Sequence, residues 1–196
     1  TKDGLVKKTV IAELEKVRRS GLIAITLKKD DELKWVHPST GNDEIILGTA
    51  GGQAIRFSEK DVRPMGRTAA GVRGIRLRKG DGVISMNVVE KSTKSKPQLL
   101  VISEAGLGKR TDLNYYKVQH RGGGGIKTLK VTPKTGPIVD MHVTASTAEQ
   151  DLVVISARGQ TLRTPLAAIS VMGRATQGVR VMKLEAGDKV ASSSLV

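Results

Sequence analysis

The sequence predicts an all-β protein built from four copies of one unit, arranged like the four-stranded blades of a propeller. Three observations support this fold class. A glycine-centred motif recurs at regular intervals, an apolar run leads into most of these glycine turns, and short alternating segments rich in β-branched residues follow. Apolar runs that end in glycine turns are typical of strands in β-hairpins. We therefore predict a single all-β domain over residues 1–196.

The repeats are defined by two glycine positions. The first is occupied four times, with spacings of 48, 54 and 53 residues, by Gly4, Gly52, Gly106 and Gly159. The second follows nineteen residues later in the last three copies and opens the motifs GVR (71–73), GIK (125–127) and GVR (178–180). This register places the repeats at approximately residues 1–43, 44–97, 98–150 and 151–196.

The strand assignments follow from residue type. The apolar runs Glu44–Leu47, Leu99–Ile102 and Leu152–Ile155 predict strands that enter the glycine turns. Residues 10–19 have a helix-like composition that the other repeats do not share, so we predict a variant loop there. The chain begins at Thr1, and its first repeat lacks the opening strand of the others. We therefore expect a piece of a longer protein.

The composition points to a polyanionic partner. Lys and Arg number 33 against 19 Asp and Glu, which gives a formal charge of +14 and a pI near 10.2. Nucleic acid fits better than a membrane, because the sequence has neither an amphipathic basic helix nor an apolar run approaching the ~20 residues of a membrane span. The absence of cysteine excludes disulfides and thiolate metal sites, and we expect a cytoplasmic protein.

Basic residues recur in the same register as the glycines. Because turn geometry needs no cation, we predict that these bases line a DNA-binding rim, although a solvated charged face remains the alternative. The bases four residues after the first glycine are Lys8, Arg56, Arg110 and Arg163, and those at fifteen residues are Arg67, Arg121 and Arg174. The other predicted DNA-binding residues are Lys7, Arg18, Arg19, Arg73, Lys109, Lys127 and Arg180.

The form of nucleic acid follows from the aromatic content. Single-strand binders stack bases on aromatic rings, but this chain has only Trp35, Phe57, Tyr115 and Tyr116. Double-stranded DNA held through its phosphates is therefore favoured, with little readout of base sequence. A duplex that follows bases repeated along a curved rim must bend.

The most unusual local motif is QHRGGGG at residues 119–125. Its glycines can bring backbone N–H groups close to a phosphate, whereas the alternative is a flexible linker. This box-like turn consists of Gln119, His120, Arg121, Gly122, Gly123, Gly124 and Gly125.

Sequence motifs give no support for catalysis. His37, His120 and His142 fall at unrelated points of the repeat, with neither metal-ligand spacing nor a nucleophile–base pattern. No phosphate-binding loop of the GxxxxGK[ST] type occurs. We expect no catalytic residue, metal or cofactor in this chain. A propeller-like protein-interaction scaffold is the alternative function, but such a scaffold does not need a base in every repeat.

The motifs together resemble the C-terminal domain of the DNA gyrase A subunit, with the A-type subunit of topoisomerase IV as a close relative. The resemblance is carried by KKTV (7–10), VRPMGRTAAGVRGIRL (62–77), GKRT (108–111), QHRGGGGIKTLKV (119–131) and SVMGRATQGVRVMKL (170–184). It implies a β-pinwheel, usually of six blades in gyrase, in which neighbours exchange strands and DNA wraps around the outer edge. The four repeats would be blades three to six.

The resemblance also implies partners and a division of labour. The expected partners are double-stranded DNA, the remainder of the A subunit and the gyrase B subunit. The A and B subunits would form an A2B2 heterotetramer. ATP, Mg²⁺ and the DNA-cleaving tyrosine would be located elsewhere. The family's wrapping box, Gln-Arg-Arg-Gly-Gly-Lys-Gly or close to it, usually lies within the first two blades, which the four repeats would not include. The box-like turn matches it at five of seven positions but has His120 and Gly124 where bases are usual.

Overall fold

The computed structural model describes residues 1–15, 17, 19–91, 96–145 and 149–196. Apart from short 3₁₀ turns, the regular structure of these residues consists of β-strands, which confirms the predicted fold class. The strands are β1 (Leu5–Val6), β2 (Glu44–Thr49), β3 (Gln53–Ser58), β4 (Val72–Arg73), β5 (Val83–Val89), β6 (Pro97–Ser103), β7 (Leu107–Asp112), β8 (Val118–Gln119), β9 (Ile126–Lys127), β10 (Ile138–Ala145), β11 (Asp151–Ser156), β12 (Thr161–Pro165), β13 (Val179–Arg180) and β14 (Val190–Leu195).

The 3₁₀ turns recur once per repeat, at Ile11–Leu14, Glu59–Asp61, Leu113–Tyr115 and Leu166–Ala168. The first of them lies in the segment predicted to be a variant loop. No helix in the described part of the chain is long and apolar enough to cross a membrane.

The sheets are completed by strands from the following repeat. β5, β2 and β3 of the second repeat are joined by β8 and β9 of the third, and β10, β6 and β7 of the third are joined by β13 of the fourth. In the first repeat β1 pairs with β4 of the second, and in the fourth repeat β14, β11 and β12 form a three-stranded sheet. A blade of four or more strands is therefore assembled from two consecutive repeats.

We call the exchanged segments, residues 62–76, 116–130 and 169–183, the exchange arms. Each arm first runs parallel to the receiving strand, as in the bridge between Arg110 and Val171, then reverses and returns antiparallel, as β13 does on β7. At the opposite edge of each sheet, β5, β10 and β14 of successive repeats contact one another. The arms therefore lie on the outer edge of the arrangement.

Within the described part of the chain, the hydrophobic core consists of three clusters, each lying between neighbouring sheets. Adjacent residues of one strand serve different clusters: Leu99 packs in the cluster between the second and third sheets, and Leu100 in the cluster between the third and fourth. Strands buried on both faces are continuously apolar. This explains why the runs predicted at 44–47 and 99–102 show little alternation.

The second glycine of each repeat allows the arm to approach the receiving strand closely. Gly71, Gly125 and Gly178 have φ angles of 90°, 69° and 83°, a region that residues with a side chain adopt at a cost. A Cβ atom on any of these glycines would lie 2.6 Å from a carbonyl oxygen of the receiving strand, on Val6, Ala54 and Gly108 respectively. Glycine at these positions is therefore required by the strand exchange itself.

Candidate nucleic-acid interface

The exchange arms present one exposed base each at the outer edge. Arg73, Lys127 and Arg180 end the short strands β4, β9 and β13, and all three are exposed. Each follows a half-buried β-branched residue of the same strand, because successive side chains point to opposite faces. The predicted bases of the GVR and GIK motifs thus face solvent.

The loop bases of one repeat lie beside the exposed bases of the previous repeat. Arg121 Nη1 donates to the Arg73 carbonyl over 3.1 Å, and Arg174 Nη1 donates to the Lys127 carbonyl over 3.0 Å. The structure therefore brings together residues that are 47 or 48 positions apart in the sequence. The same pairing occurs at two successive junctions between repeats.

A third base joins each pair, and sequence reasoning missed it. The Arg76 amide donates to the Gly123 carbonyl over 2.8 Å, and the Lys130 amide donates to the Thr176 carbonyl over 3.2 Å. Both side chains are exposed. They lie five residues after the second glycine, as does exposed Lys183, so the repeat register could have identified them. We call the two sets the rim clusters: Arg73, Arg76 and Arg121, and Lys127, Lys130 and Arg174.

Three of the four bases that follow the first glycine by four residues bind carbonyl groups of the next repeat. Arg56 Nη1 donates to the carbonyls of Leu113 (2.8 Å) and Tyr116 (3.2 Å), and its guanidinium pairs with Glu44 (2.6 Å). Arg110 Nε donates to the Ile169 carbonyl over 2.8 Å, and Lys8 Nζ to the Glu59 carbonyl over 3.0 Å. These three bases fasten one repeat to the 3₁₀ turn of the next, and their contact with DNA stays a prediction.

Arg163 occupies the same register position in the fourth repeat but has a different environment. Its side chain is 69% exposed and its Nε pairs with Asp151 over 2.6 Å. Because it lies on β12, where the sheet has three strands, the contact with a following 3₁₀ turn that its counterparts make is absent among the described residues.

The lysines preceding two of these bases are also directed inward. Lys109 is fully buried, and its ammonium donates to the Gly173 carbonyl (2.6 Å), to Thr176 Oγ1 (3.1 Å) and to the Arg174 carbonyl. Burial, with the nearby Arg174 guanidinium as a second cause, lowers the pKa of Lys109 to about 8. Lys109 cannot reach DNA in this position, and its prediction as a DNA contact is corrected.

Lys7 has the equivalent role at the junction of the first and second repeats. Its ammonium donates to the Ala24 carbonyl over 2.6 Å and to the Arg67 carbonyl. The Lys7 and Lys109 ammonium groups therefore stabilise the loops 66–69 and 173–176, which carry Arg67 and Arg174. The second repeat has Ile55 at this position, fully buried.

The box-like turn lies against the exchange arm of the second repeat. The Gly122 amide donates to the Gly74 carbonyl over 2.6 Å, and Arg121 Nε donates to the Asp61 carbonyl over 2.8 Å. His120 is completely exposed and its Nδ1 lies 3.4 Å from Asp61 Oδ2. The turn is thus packed onto the chain rather than being a linker.

The remaining predicted bases are placed as follows. Arg19 is exposed, Arg67 is half-buried, and Arg18 lies outside the described residues. The Arg67 amide donates to Glu13 Oε2 over 3.2 Å. Of the two tyrosines, Tyr116 is buried in the core and Tyr115 is 58% exposed.

His142 lies beside Ser193 and Asp140, which are residue types found in catalytic triads, but the geometry of the three is not that of a triad. His142 Nε2 lies 2.9 Å from Ser193 Oγ and 3.2 Å from Asp140 Oδ2. A triad needs the acid and the nucleophile on different ring nitrogens, whereas here both face Nε2. The group connects β10 to β14. No cluster of His, Asp and Glu suited to a metal ion occurs in the part of the chain that the structure describes.

Comparison with known proteins identifies the family. The family described as "DNA gyrase C-terminal domain, beta-propeller" matches residues 1–40, 43–90, 97–145 and 150–196. The chain belongs to this family. One relative is the DNA gyrase A subunit of Staphylococcus epidermidis (strain ATCC 12228 / FDA PCI 1200). It is 45% identical over 196 residues, which are 100% of the chain and 22% of the relative.

A second relative has a similar sequence identity to this chain. The DNA gyrase A subunit of Staphylococcus aureus (strain MRSA252) is 42% identical over 184 residues, which are 94% of the chain and 20% of the relative. The chain thus spans about a fifth of the length of the curated relatives it matches.

Solved structures of gyrase-type C-terminal domains share the fold. The C-terminal domain of DNA topoisomerase IV matches with a TM-score of 0.91 and 26% identity, over 100% of the chain and 59% of that structure. The DNA gyrase A C-terminal domain matches with a TM-score of 0.84 and 27% identity, over 99% of the chain and 63% of that structure. The resemblance inferred from the motifs, and the propeller-like fold it implied, are confirmed.

Proposed function

We propose that this chain binds double-stranded DNA along its outer edge and bends it, without catalysing a reaction, on behalf of a DNA gyrase. The observation that supports this most directly is the repetition of the rim clusters. Two sets of three bases occupy equivalent places at successive junctions, and most of these side chains are exposed. A row of phosphates in a duplex is a regular complement to such repeated bases, and Lys and Arg bind phosphates by displacing counterions.

The proposal includes the partners and location that family membership suggests. This domain, the remainder of the A subunit and the B subunit would form an A2B2 enzyme in the bacterial cytoplasm. Bending would select the DNA segment presented for strand passage, favouring negative supercoiling. ATP and Mg²⁺ would act elsewhere in that assembly, with no cofactor in this domain. The chemistry of cleavage and rejoining would likewise lie outside this chain.

The first test is binding of the 196-residue chain to a short linear duplex. With on the order of six phosphate contacts, log affinity should fall against log salt with a slope near −5, and affinity should depend little on base sequence. Absence of a gel shift at low salt would overturn DNA binding and favour a protein-interaction scaffold. A flat salt response would contradict the phosphate contacts.

Bending requires a separate measurement, because a protein can bind DNA without bending it. Bending 20–30 base pairs by 40–90° costs on the order of 1–6 kcal/mol, which successive contacts must supply. Dyes at the two ends of a duplex of about 40 base pairs, well below the ~150 base-pair persistence length, should approach one another on binding. Ends that remain as far apart as in free DNA would contradict the bending function while leaving binding intact.

A further inference from the structure

The two loops bound by lysines, residues 66–69 and 173–176, have the same backbone arrangement. In each, the amide of the last residue donates to the carbonyl of the first: Ala69 to Gly66 over 3.0 Å, and Thr176 to Gly173 over 3.4 Å. The carbonyl of the intervening arginine accepts from the lysine in both loops. They are therefore equivalent sites in the second and fourth repeats.

Lys109 fixes the direction in which the peptide groups of its loop point. The peptide bonds of the described residues are trans, so each N–H points opposite to the carbonyl of the same peptide group. The carbonyls of Gly173 and Arg174 point inward to the Lys109 ammonium. The N–H groups of Arg174 and Ala175 consequently point away from Lys109, toward solvent.

These two N–H groups are available to a ligand. In the described ranges, neither the Arg174 amide nor the Ala175 amide has a hydrogen-bond acceptor, and Ala175 is exposed. Consecutive backbone amides that point outward form a concave site for an oxyanion. The Arg174 guanidinium, which lies in the same loop, adds positive charge.

A carboxylate of the chain itself occupies the equivalent place at the other loop. Glu13 Oε2 accepts from the Arg67 amide over 3.2 Å, and it lies 3.9 Å from the position of a Cβ atom on Gly66. The same construction on Gly173, the equivalent of Gly66, meets no atom of the described residues within 4 Å. The first loop therefore shows which chemical group this backbone binds, and the second loop leaves that position accessible.

We infer that the backbone of residues 173–175 is a binding site for a DNA phosphate, and that Glu13 occupies the equivalent site at residues 66–68 in the place of a phosphate. This inference rests on the proposed DNA-binding function. The box-like turn does not provide a third such site, because the Gly122 amide, at the position equivalent to Ala175, donates inward to the Gly74 carbonyl.

The direct test follows the backbone amides of the ¹⁵N-labelled chain by NMR while a short duplex is added. The Arg174 and Ala175 resonances should move downfield as the duplex binds, and the Gly122 resonance should move much less. Inorganic phosphate alone should shift the same two resonances at much higher concentration, which separates a site for any phosphate from one that needs the duplex. If the duplex binds but neither amide moves, the inference is overturned and the proposed function survives.

A second test removes the competing carboxylate. Glu13→Gln should tighten duplex binding by about threefold to fivefold and steepen the log–log salt slope by about 0.9, the value of one phosphate contact. Glu15→Gln is the matched control, because it removes the same charge from an exposed residue two positions away. Its smaller effect should leave the slope unchanged.

The outcomes of this second test separate the two hypotheses. Equal effects of Glu13→Gln and Glu15→Gln would mean that Glu13 acts only through its charge, which would overturn its role as a phosphate substitute. Wild-type chain that fails to bind duplex at low salt would instead contradict the proposed function itself. Neither variant alters a buried residue, so both are expected to fold.

Discussion

The second, third and fourth repeats each insert an exchange arm into the preceding sheet. The junctions between repeats differ in what supports the loop of that arm: a buried lysine at some junctions, and a glycine turn packed on an apolar side chain at another. At the junction of the second and third repeats, the glycine turn lies over Ile55, whose Cδ1 would be 3.6 Å from a Cβ atom on Gly123, and the Gly122 amide binds the arm of the second repeat. At the next junction, Lys109 binds two carbonyls of a loop that contains only one glycine among residues 173–176. A loop whose carbonyls face inward requires a donor beneath it. The box-like turn can lie on an apolar side chain because its inward Gly122 amide already has an acceptor in the Gly74 carbonyl.

The difference extends to the backbone. Gly122 has a φ of 81°, while Ala175, at the equivalent position, has a negative φ. One junction therefore directs an N–H group toward the protein and the other directs it toward solvent. The same sheet architecture thus supports two surfaces with different capacities for binding anions.

The largest effect should come from removing the lysine. Lys109→Met leaves the Arg174 carbonyl without a donor among the described residues and takes one donor away from the Gly173 carbonyl and from Thr176 Oγ1. We expect the free energy of unfolding to fall by about 3 kcal/mol. Ile55→Met at the other junction nearly conserves volume and should cost about 1 kcal/mol or less. Urea unfolding of both variants at pH 7 measures the difference. Equal losses would mean that Lys109 only fills space.

Exchanging residue types at the matched loop position tests the backbone difference. Gly122→Ala should cost about 1–2 kcal/mol because of its positive φ, since the added Cβ would lie no closer than 3.5 Å to its nearest neighbour, the Arg73 carbonyl oxygen. Ala175→Gly should cost only about 0.5–1 kcal/mol, chiefly through the greater freedom of the unfolded chain. Thermal unfolding reports both. A cost for Ala175→Gly as large as that for Gly122→Ala would contradict the assigned conformations.

The pH dependence of stability provides a third comparison. The pKa of Lys109 is about 8 in the folded protein and ordinarily 10.5, so the unfolded chain binds more protons between these values. The contribution of Lys109 to the free energy of unfolding should therefore rise with pH over this window, by about 1 kcal/mol between pH 8 and pH 9. The difference in unfolding free energy between wild type and Lys109→Met isolates this contribution. A difference that does not change with pH would contradict the lowered pKa.

Each of the two junctions has a rim cluster, and removing a single base from either cluster should have the smallest effect. Arg76→Gln and Lys130→Gln should each weaken duplex binding by about threefold and reduce the salt slope by about 0.9. Lys29→Gln removes the same charge from an exposed residue outside the repeat register and should have less effect on the slope. Fluorescence anisotropy at several salt concentrations measures all three. Identical slopes would indicate that general positive charge suffices.

The fold could be predicted from the sequence because a glycine that recurs at a fixed spacing has few physical explanations: the backbone there needs a positive φ angle or a close approach to another strand. Gly71, Gly125 and Gly178 mark the places where an arm meets a neighbouring strand, and their spacing helped to reveal the repeat. The exchange of strands was implied by the family resemblance. Residue patterns alone did not reveal it, since a two-residue strand such as β9 has no periodicity to detect.

The site was less predictable, because a repeated base can face either solvent or a carbonyl. Lys109 and Arg110 are adjacent on β7 and must point to opposite faces, yet both proved to bind backbone groups of the fourth repeat. Charge in a sequence does not reveal which carbonyls lack a donor in the folded chain. Arg76 and Lys130 could have been found, since they keep the register as strictly as Arg73 and Lys127 do.

Strand exchange also imposes an order on folding during protein synthesis. Strands β2 and β3 leave the ribosome before residues 118–127, which complete their sheet, and at typical elongation rates the delay is on the order of seconds. Throughout that interval β3 has an unpaired edge, the kind of edge on which nascent chains associate wrongly. Arg56 and Ser58 lie on this strand, and a charged residue on an unpaired edge discourages such association. We therefore expect the base that later fastens two repeats together to protect the unfinished sheet as well, while the next repeat is being made.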